Sequence, residues 1–124
     1  MSLTLIFRSS NTHEVGPLVL FRVDGHALLT TEGQVIAKHE RNVWRISGGT
    51  YPRLECKGSV LISFRRGSKD EASRKFGPHD NLMMFDGVAY IGRHVFASLN
   101  QDAGNWYSHE DGRYWPVMTV ESTS

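Results

Sequence analysis

Three Asp-Gly pairs, Asp24-Gly25, Asp86-Gly87 and Asp111-Gly112, each stand between short apolar or aromatic runs. The tight two-residue reversal of a β-hairpin needs positive φ, which Asp tolerates and Gly adopts at almost no steric cost. The pairs therefore predict hairpins, and three of them in 124 residues predict a fold built from adjacent antiparallel strands. Twelve glycines, most at turn-like positions, point the same way, towards many short strands rather than few long helices.

Read along the chain, LTLIFR (3–8) is a first strand, SSNTHEVG a loop, and PLVLFRV a second strand ending at Asp24-Gly25. HALLT and QVIAKH follow, joined through Thr31-Glu32-Gly33, then VWRIS up to Gly48-Gly49. TYPRLEC carries Pro52, which places it at a sheet edge or a bulge. In SVLISFR, Val60, Ile62 and Phe64 share one face and Leu61, Ser63 and Arg65 the other, the period of a half-buried strand. NLMMF and VAYIG flank Asp86-Gly87, and HVFASL, the loop NQDAGN and a last hairpin from WYSHE to RYWPVMTV complete about ten strands. One segment reads as helix: Ser68 with Glu71 makes a capping box, Asp70 and Glu71 occupy the first turn, Arg74 and Lys75 the last, and Gly77-Pro78 supplies a stop.

The expected fold class is therefore all-β: a single domain over residues 1–124, an antiparallel meander forming a small barrel or two-sheet roll, with one short helix near residues 69–76. The halves also echo each other. VDGHA, GQVIA and NVW in residues 23–44 can be laid over FDGVA, GRHVFA and NW in residues 85–106. Similar hairpin chemistry alone produces such an echo, because the matched positions are mostly turn glycines and apolar strand residues.

The lone Cys56 excludes an internal disulfide, and MSLTLIFRSSNTHEVG lacks the apolar segment of a secretory signal, so a reducing, cytoplasmic setting is the expectation. No run approaches the roughly 20 apolar residues of a membrane-spanning helix. A net charge of +1 supplies no global attraction to nucleic acid or anionic lipid.

The densest unusual stretch is WYSHEDGRYW, residues 106–115. A four-residue loop centred on Glu110 and Asp111 sets Trp106 against Trp115 and Tyr107 against Tyr114. A tight Asp111-Gly112 turn instead opposes Glu110 to Arg113 and His109 to Tyr114, and a three-residue loop opposes Tyr107 to Trp115. Every register leaves rings on both faces, so Trp106, Tyr107, His109, Arg113, Tyr114 and Trp115 are the expected contact surface for a protein partner or small ligand. The alternative is that both faces are covered, in a closed sandwich or in a hairpin buried within a homodimer.

Six histidines invite a metal or acid-base reading, but no two lie close enough in sequence for a zinc-ligand pair, and no metal or cofactor is expected. His26 and His94 each begin a strand and, with His109 and a carboxylate, are the candidates for lining a cavity. Cys56 has no identifiable catalytic partner. Arg65, Arg66, Lys69, Arg74 and Lys75 form a basic patch interleaved with Asp70 and Glu71, read as a solvated face. Three functions follow in order. The first is a non-enzymatic binding or accessory module, a homo-oligomer or partner-binding protein using the aromatic surface. The second is a small-ligand enzyme or carrier with a barrel cavity. The third is single-stranded nucleic-acid binding through the basic patch.

Overall fold

The computed structural model describes residues 2–67, 70–77 and 80–123. Among these it contains sixteen strands: β1 (Leu3–Arg8), β2 (Thr12–Leu18), β3 (Leu20–Asp24), β4 (Ala27–Leu29), β5 (Val35–Glu40), β6 (Val43–Ile46), β7 (Gly49–Tyr51), β8 (Arg53–Lys57), β9 (Val60–Arg66), β10 (Asp70–Phe76), β11 (Leu82–Phe85), β12 (Val88–Ile91), β13 (His94–Asn100), β14 (Asn105–Ser108), β15 (Arg113–Trp115) and β16 (Val117–Ser122). They form two eight-stranded antiparallel sheets. The first runs β2-β1-β8-β11-β12-β13-β14-β15 and the second β10-β9-β16-β3-β4-β5-β6-β7.

These two orders are one scheme written twice. Moving each strand eight places along the chain turns the first order into the second, so residues 3–57 and 60–122 are two copies of an eight-strand unit. Each copy lends its first, second and eighth strands to one sheet and its five middle strands to the other. Register repeats as well as order. Phe7 opposes Leu54 and Leu5 opposes Cys56 in one copy, as Phe64 opposes Met118 and Ile62 opposes Val120 in the other. Both copies carry a bulge at the same place, between Leu28 and Leu29 and between Ala89 and Tyr90. The His39 N–H donates to the His26 carbonyl at 2.7 Å, and its counterpart Leu99 donates to the Gly87 carbonyl at 2.7 Å. Phe7 meets Tyr51 with ring centroids 6.1 Å apart, and Phe64 meets Trp115 at 6.2 Å.

The faint sequence echo is thus a structural duplication, offset by one residue at the first turn. Asp24 opposes Ala27, which puts Gly25-His26, not Asp24-Gly25, at the centre of that hairpin. Phe85 opposes Val88, so Asp86-Gly87 closes the matching one, with φ of +55° and +72°. Arg41-Asn42 closes β5 onto β6 with both φ positive, a reversal of the same type made without glycine.

Period-two alternation explains the core. In β16 alternate residues are buried, in β1 and β9 the inward set is buried together with Ile6 and Ser63 of the other face, and the inward sets of both sheets merge into one cluster that includes Phe7, Phe21, Trp44, Phe64, Trp106, Trp115 and Met118. Each such large side chain contributes about 1.5–3 kcal/mol on burial.

Three expectations need correction. The sheets do not close into a barrel: β15 and β2 remain edges of one, β10 and β7 of the other. The segment read as helix is strand β10, paired along its length with β9. The helix signals became cross-strand contacts instead, with Glu71 opposite and ion-paired to Arg65 at 2.9 Å and Ser73 hydroxyl-bonded to Ser63 at 3.0 Å. A two-turn helix is marginal alone, and the ladder offered by β9 outweighs it. Ser68 and Lys69 lie outside the described residues. Finally, much of the stretch read as the loop SSNTHEVG is strand β2, an edge strand with few buried side chains and so no apolar period to betray it.

Candidate functional site

The last hairpin adopts the four-residue-loop register: Trp106 opposes Trp115 and Tyr107 opposes Tyr114. Its loop is held by Asp111, whose Oδ1 accepts the Arg113 N–H at 3.0 Å and whose Oδ2 accepts the Trp115 indole N–H at 3.2 Å. The Gly112 N–H donates to the Ser108 carbonyl at 2.9 Å, with Gly112 at a φ of +70°.

This register sends the two tryptophans inward and the two tyrosines outward. Trp106 is 1% and Trp115 0% exposed, so neither belongs to a surface; Tyr114 is 46% exposed. Of the four rings expected at a contact surface, Trp106 and Trp115 are buried in the core, which leaves Tyr107 and Tyr114 on the outer face. The Trp106 indole N–H donates to the Gly25 carbonyl at 3.1 Å, pinning the β13–β14 corner to the β3–β4 turn. Trp115 is covered by two guanidinium groups, Arg113 at 4.6 Å and Arg66 at 5.4 Å from its ring centroid.

Outward residues in register cross the first sheet as a row: Tyr114, Tyr107, Ser98, Val88, Phe85, Arg53, Arg8 and Thr12. Tyr107 and Tyr114 lie 5.0 Å apart, and Tyr107 meets His109 edge-on at 4.9 Å. At the other end the Arg53 guanidinium stands 6.0 Å from the Phe85 ring and Arg8 pairs with Glu55. A parallel row adds Val95, Tyr90 and Met83. Phe85, Val95 and Tyr114 are three of the exposed large hydrophobics among the described residues.

Duplication supplies an internal control for this face. In the second sheet the positions of Tyr107, Tyr114, Phe85 and Met83 are taken by Arg45, Thr50, Asp24 and Arg22. The same backbone folds with either set, so the apolar set is not demanded by the fold.

The cavity histidines separate. His94 and His109 line an open cleft of about 680 Å³ together with Arg74, Phe76, Asp80, Arg93, Phe96 and Glu110. It lies outside the apolar filling between the sheets, so the expected barrel cavity is replaced by a surface groove. Ser98 Oγ and His109 Nε2 are hydrogen-bonded at 2.8 Å. Arg74 pairs with Glu110 and stacks 5.0 Å over Phe76. His26 stands elsewhere, at the β3–β4 turn against Gly104.

The basic patch disperses. Arg65 and Arg74 are ion-paired, and Arg66 reaches over to donate to the Tyr114 carbonyl on the edge of the first sheet. Lys75 is exposed; Lys69 lies outside the described residues. Cys56 is buried, and burial pushes its thiol up to about 12, far from a usable nucleophile at neutral pH. No group of three or more metal-ligating side chains occurs among the described residues.

Sequence reasoning missed His39. It is 3% exposed, packs edge-on to Trp44 at 5.1 Å, and leaves Nδ1 without a hydrogen-bond partner. Burial, reinforced by the neighbouring His26, holds its imidazole below the ordinary histidine range, against the opposing pull of Gln101 and Asp86. The alternation in VIAKHE, which places His39 on the face of buried Ala37, was the signal available. No protein-family model, curated protein or solved structure matches the chain.

Proposed function

We propose that this protein is a non-catalytic binding module that docks a protein partner on the outer face of the first sheet, centred on Tyr107, Tyr114, Val88 and Phe85. The observation that carries the reading is the internal contrast: at equivalent positions of one repeated backbone, one outer face carries Tyr107, Tyr114 and Phe85 and the other Arg45, Thr50 and Asp24. Apolar rings left in water without a folding need are a partner-binding feature.

The test replaces Tyr107 by Arg, Tyr114 by Thr and Phe85 by Asp, the residues their counterparts carry. The triple variant should unfold in urea within about 1 kcal/mol of the parent and lose the fluorescence enhancement of anilinonaphthalene sulfonate, a probe of exposed apolar surface. A large loss of stability, or unchanged dye binding, would make the rings structural and overturn the reading.

One observation favours a second reading, a small-ligand site: His94, His109 and Glu110 share the open cleft floored by Phe76 and Phe96. Chemical-shift changes confined to residues 91–96 and 109–110 on titration with a small carboxylate panel would support it; silence there would dismiss it.

A further inference from the structure

We infer that the open cleft beside the last hairpin binds a flat aromatic monocarboxylate, with its ring against Phe76 and Phe96 and its carboxylate on Arg93 and His94. The inference rests on the small-ligand reading above and adds the chemical class of the ligand. Duplication separates what this cleft carries from what the fold needs. Arg74 opposes Ile62 as Val15 opposes Leu5, so the first copy has valine where the cleft has arginine. His94 and Phe96 likewise take the positions of Gln34 and Ile36. The loop that brings His109 and Glu110 to the cleft spans residues 109–112, against 47–48 in the first copy. One wall, half of the ring floor and most of the polar groups are therefore peculiar to one copy of a backbone that folds without them.

The floor is aromatic and fixed. Phe76 and Phe96 meet edge-on at 5.3 Å, and Phe96 rests on Phe64 at 5.5 Å, so a ligand ring finds a preformed apolar surface. Arg74 is committed to the wall, paired with Glu110 and lying 5.0 Å over the Phe76 ring. His109 is engaged by Ser98. Arg93 and His94 differ. They sit at the turn between β12 and β13, which the Gly92 N–H ties to the Asn81 carbonyl at 3.2 Å, and their side chains have no hydrogen-bonding or ionic partner among the described residues.

Charge selects among anions. Arg74 and Arg93 are balanced by Asp80 and Glu110, so the second charge of a dianion would face a carboxylate of the lining. A single carboxylate avoids that and can take the planar fork of Arg93 through two parallel hydrogen bonds. A volume of about 680 Å³ lies within the range of small-molecule sites, and the open mouth keeps the affinity modest.

The test is titration of the full chain, followed by backbone amide chemical shifts, with naphthoate, its neutral analogue naphthamide, the dianion naphthyl phosphate, and acetate. Naphthoate should shift residues 91–96 and 109–110 with a dissociation constant on the order of 1 mM, and the other three should bind about 5-fold more weakly or worse. Arg93→Gln, at an exposed turn, should weaken naphthoate by about 5-fold, while Lys38→Gln, the same charge change on the second sheet, should leave it unchanged. Naphthamide binding as well as naphthoate, or indifference to Arg93→Gln, overturns the carboxylate assignment and leaves the small-ligand reading standing. Tighter binding of naphthyl phosphate overturns the choice of a monoanion, and acetate binding as well as naphthoate overturns the role of the rings. Silence in residues 91–96 and 109–110 with all four probes overturns the inference and the small-ligand reading together.

Discussion

Consider alanine at position 25. Gly25 has a φ of +57°, and a Cβ built there would lie 2.6 Å from the Gly104 carbonyl oxygen. Gly33 has a φ of +82° and nothing within 4 Å of the same construction. Both substitutions force an L side chain into the left-handed region, at about 1–2 kcal/mol, offset in part by the restricted unfolded chain. Only Gly25→Ala also drives the Gly25 turn away from the 101–104 loop. That shift strains the bond from the Trp106 indole to the Gly25 carbonyl, 3.1 Å long and buried, and leaving such a pair unmade costs about 1–3 kcal/mol. Gly33→Ala should therefore destabilise by about 1 kcal/mol and Gly25→Ala by about 2–4 kcal/mol. Urea unfolding followed by tryptophan fluorescence reads both, and Trp106 should also report a shifted emission in the folded Gly25→Ala protein. Equal midpoints for the two variants would refute the close packing of the two turns.

Cleavage at a protease site inserted between Gly58 and Ser59 should leave residues 3–57 and 60–122 co-eluting on gel filtration, because each sheet contains strands from both pieces; separation without denaturant would contradict the strand exchange. For His39, the folded pKa is depressed, so the imidazole is neutral in both states above the ordinary histidine value and contributes no pH dependence there. As pH falls below that value the unfolded chain takes up a proton that the folded one resists, and stability declines. His39→Leu, which installs the residue found at the counterpart Leu99, should flatten this part of a melting-temperature profile measured from pH 8 to 5; a parallel profile would assign the decline to other groups. Cys56 should resist Ellman's reagent in native buffer and react fully in guanidinium; rapid native reaction would mean that β8 opens readily.

Legibility in the sequence followed locality. Asp86-Gly87 was readable because both residues needed positive φ within two positions, and the Trp106–Trp115 register was one of three fixed by loop length. The Tyr107 and Tyr114 half of the aromatic surface followed from the same alternation. What alternation could not supply was cover. Trp106 and Trp115 are buried by residues of the opposite sheet, brought there by a pairing of β16 with β3 across almost the whole chain. Strand β10 was misread because Ser, Glu, Arg and Lys serve equally as helix-terminal residues and as cross-strand partners. The duplication hid behind connections of unequal length: Arg41-Asn42 in the first copy against residues 101–104 in the second, and residues 47–48 against 109–112 in the next hairpin.

The place of β16 has a consequence for synthesis. It lies between β9 and β3, and among the described residues no other strand joins β10-β9 to β3 through β7. While the ribosome is still translating, β3 through β7 stand as an open meander with Phe21 and Val23 uncovered, and they stay so until residue 122 has emerged. Assembly of this sheet therefore waits for β16 and is dominated by contacts distant in sequence, a topology that folds slowly. The nascent chain spends that interval with an unprotected strand edge, the condition under which a holding chaperone matters most.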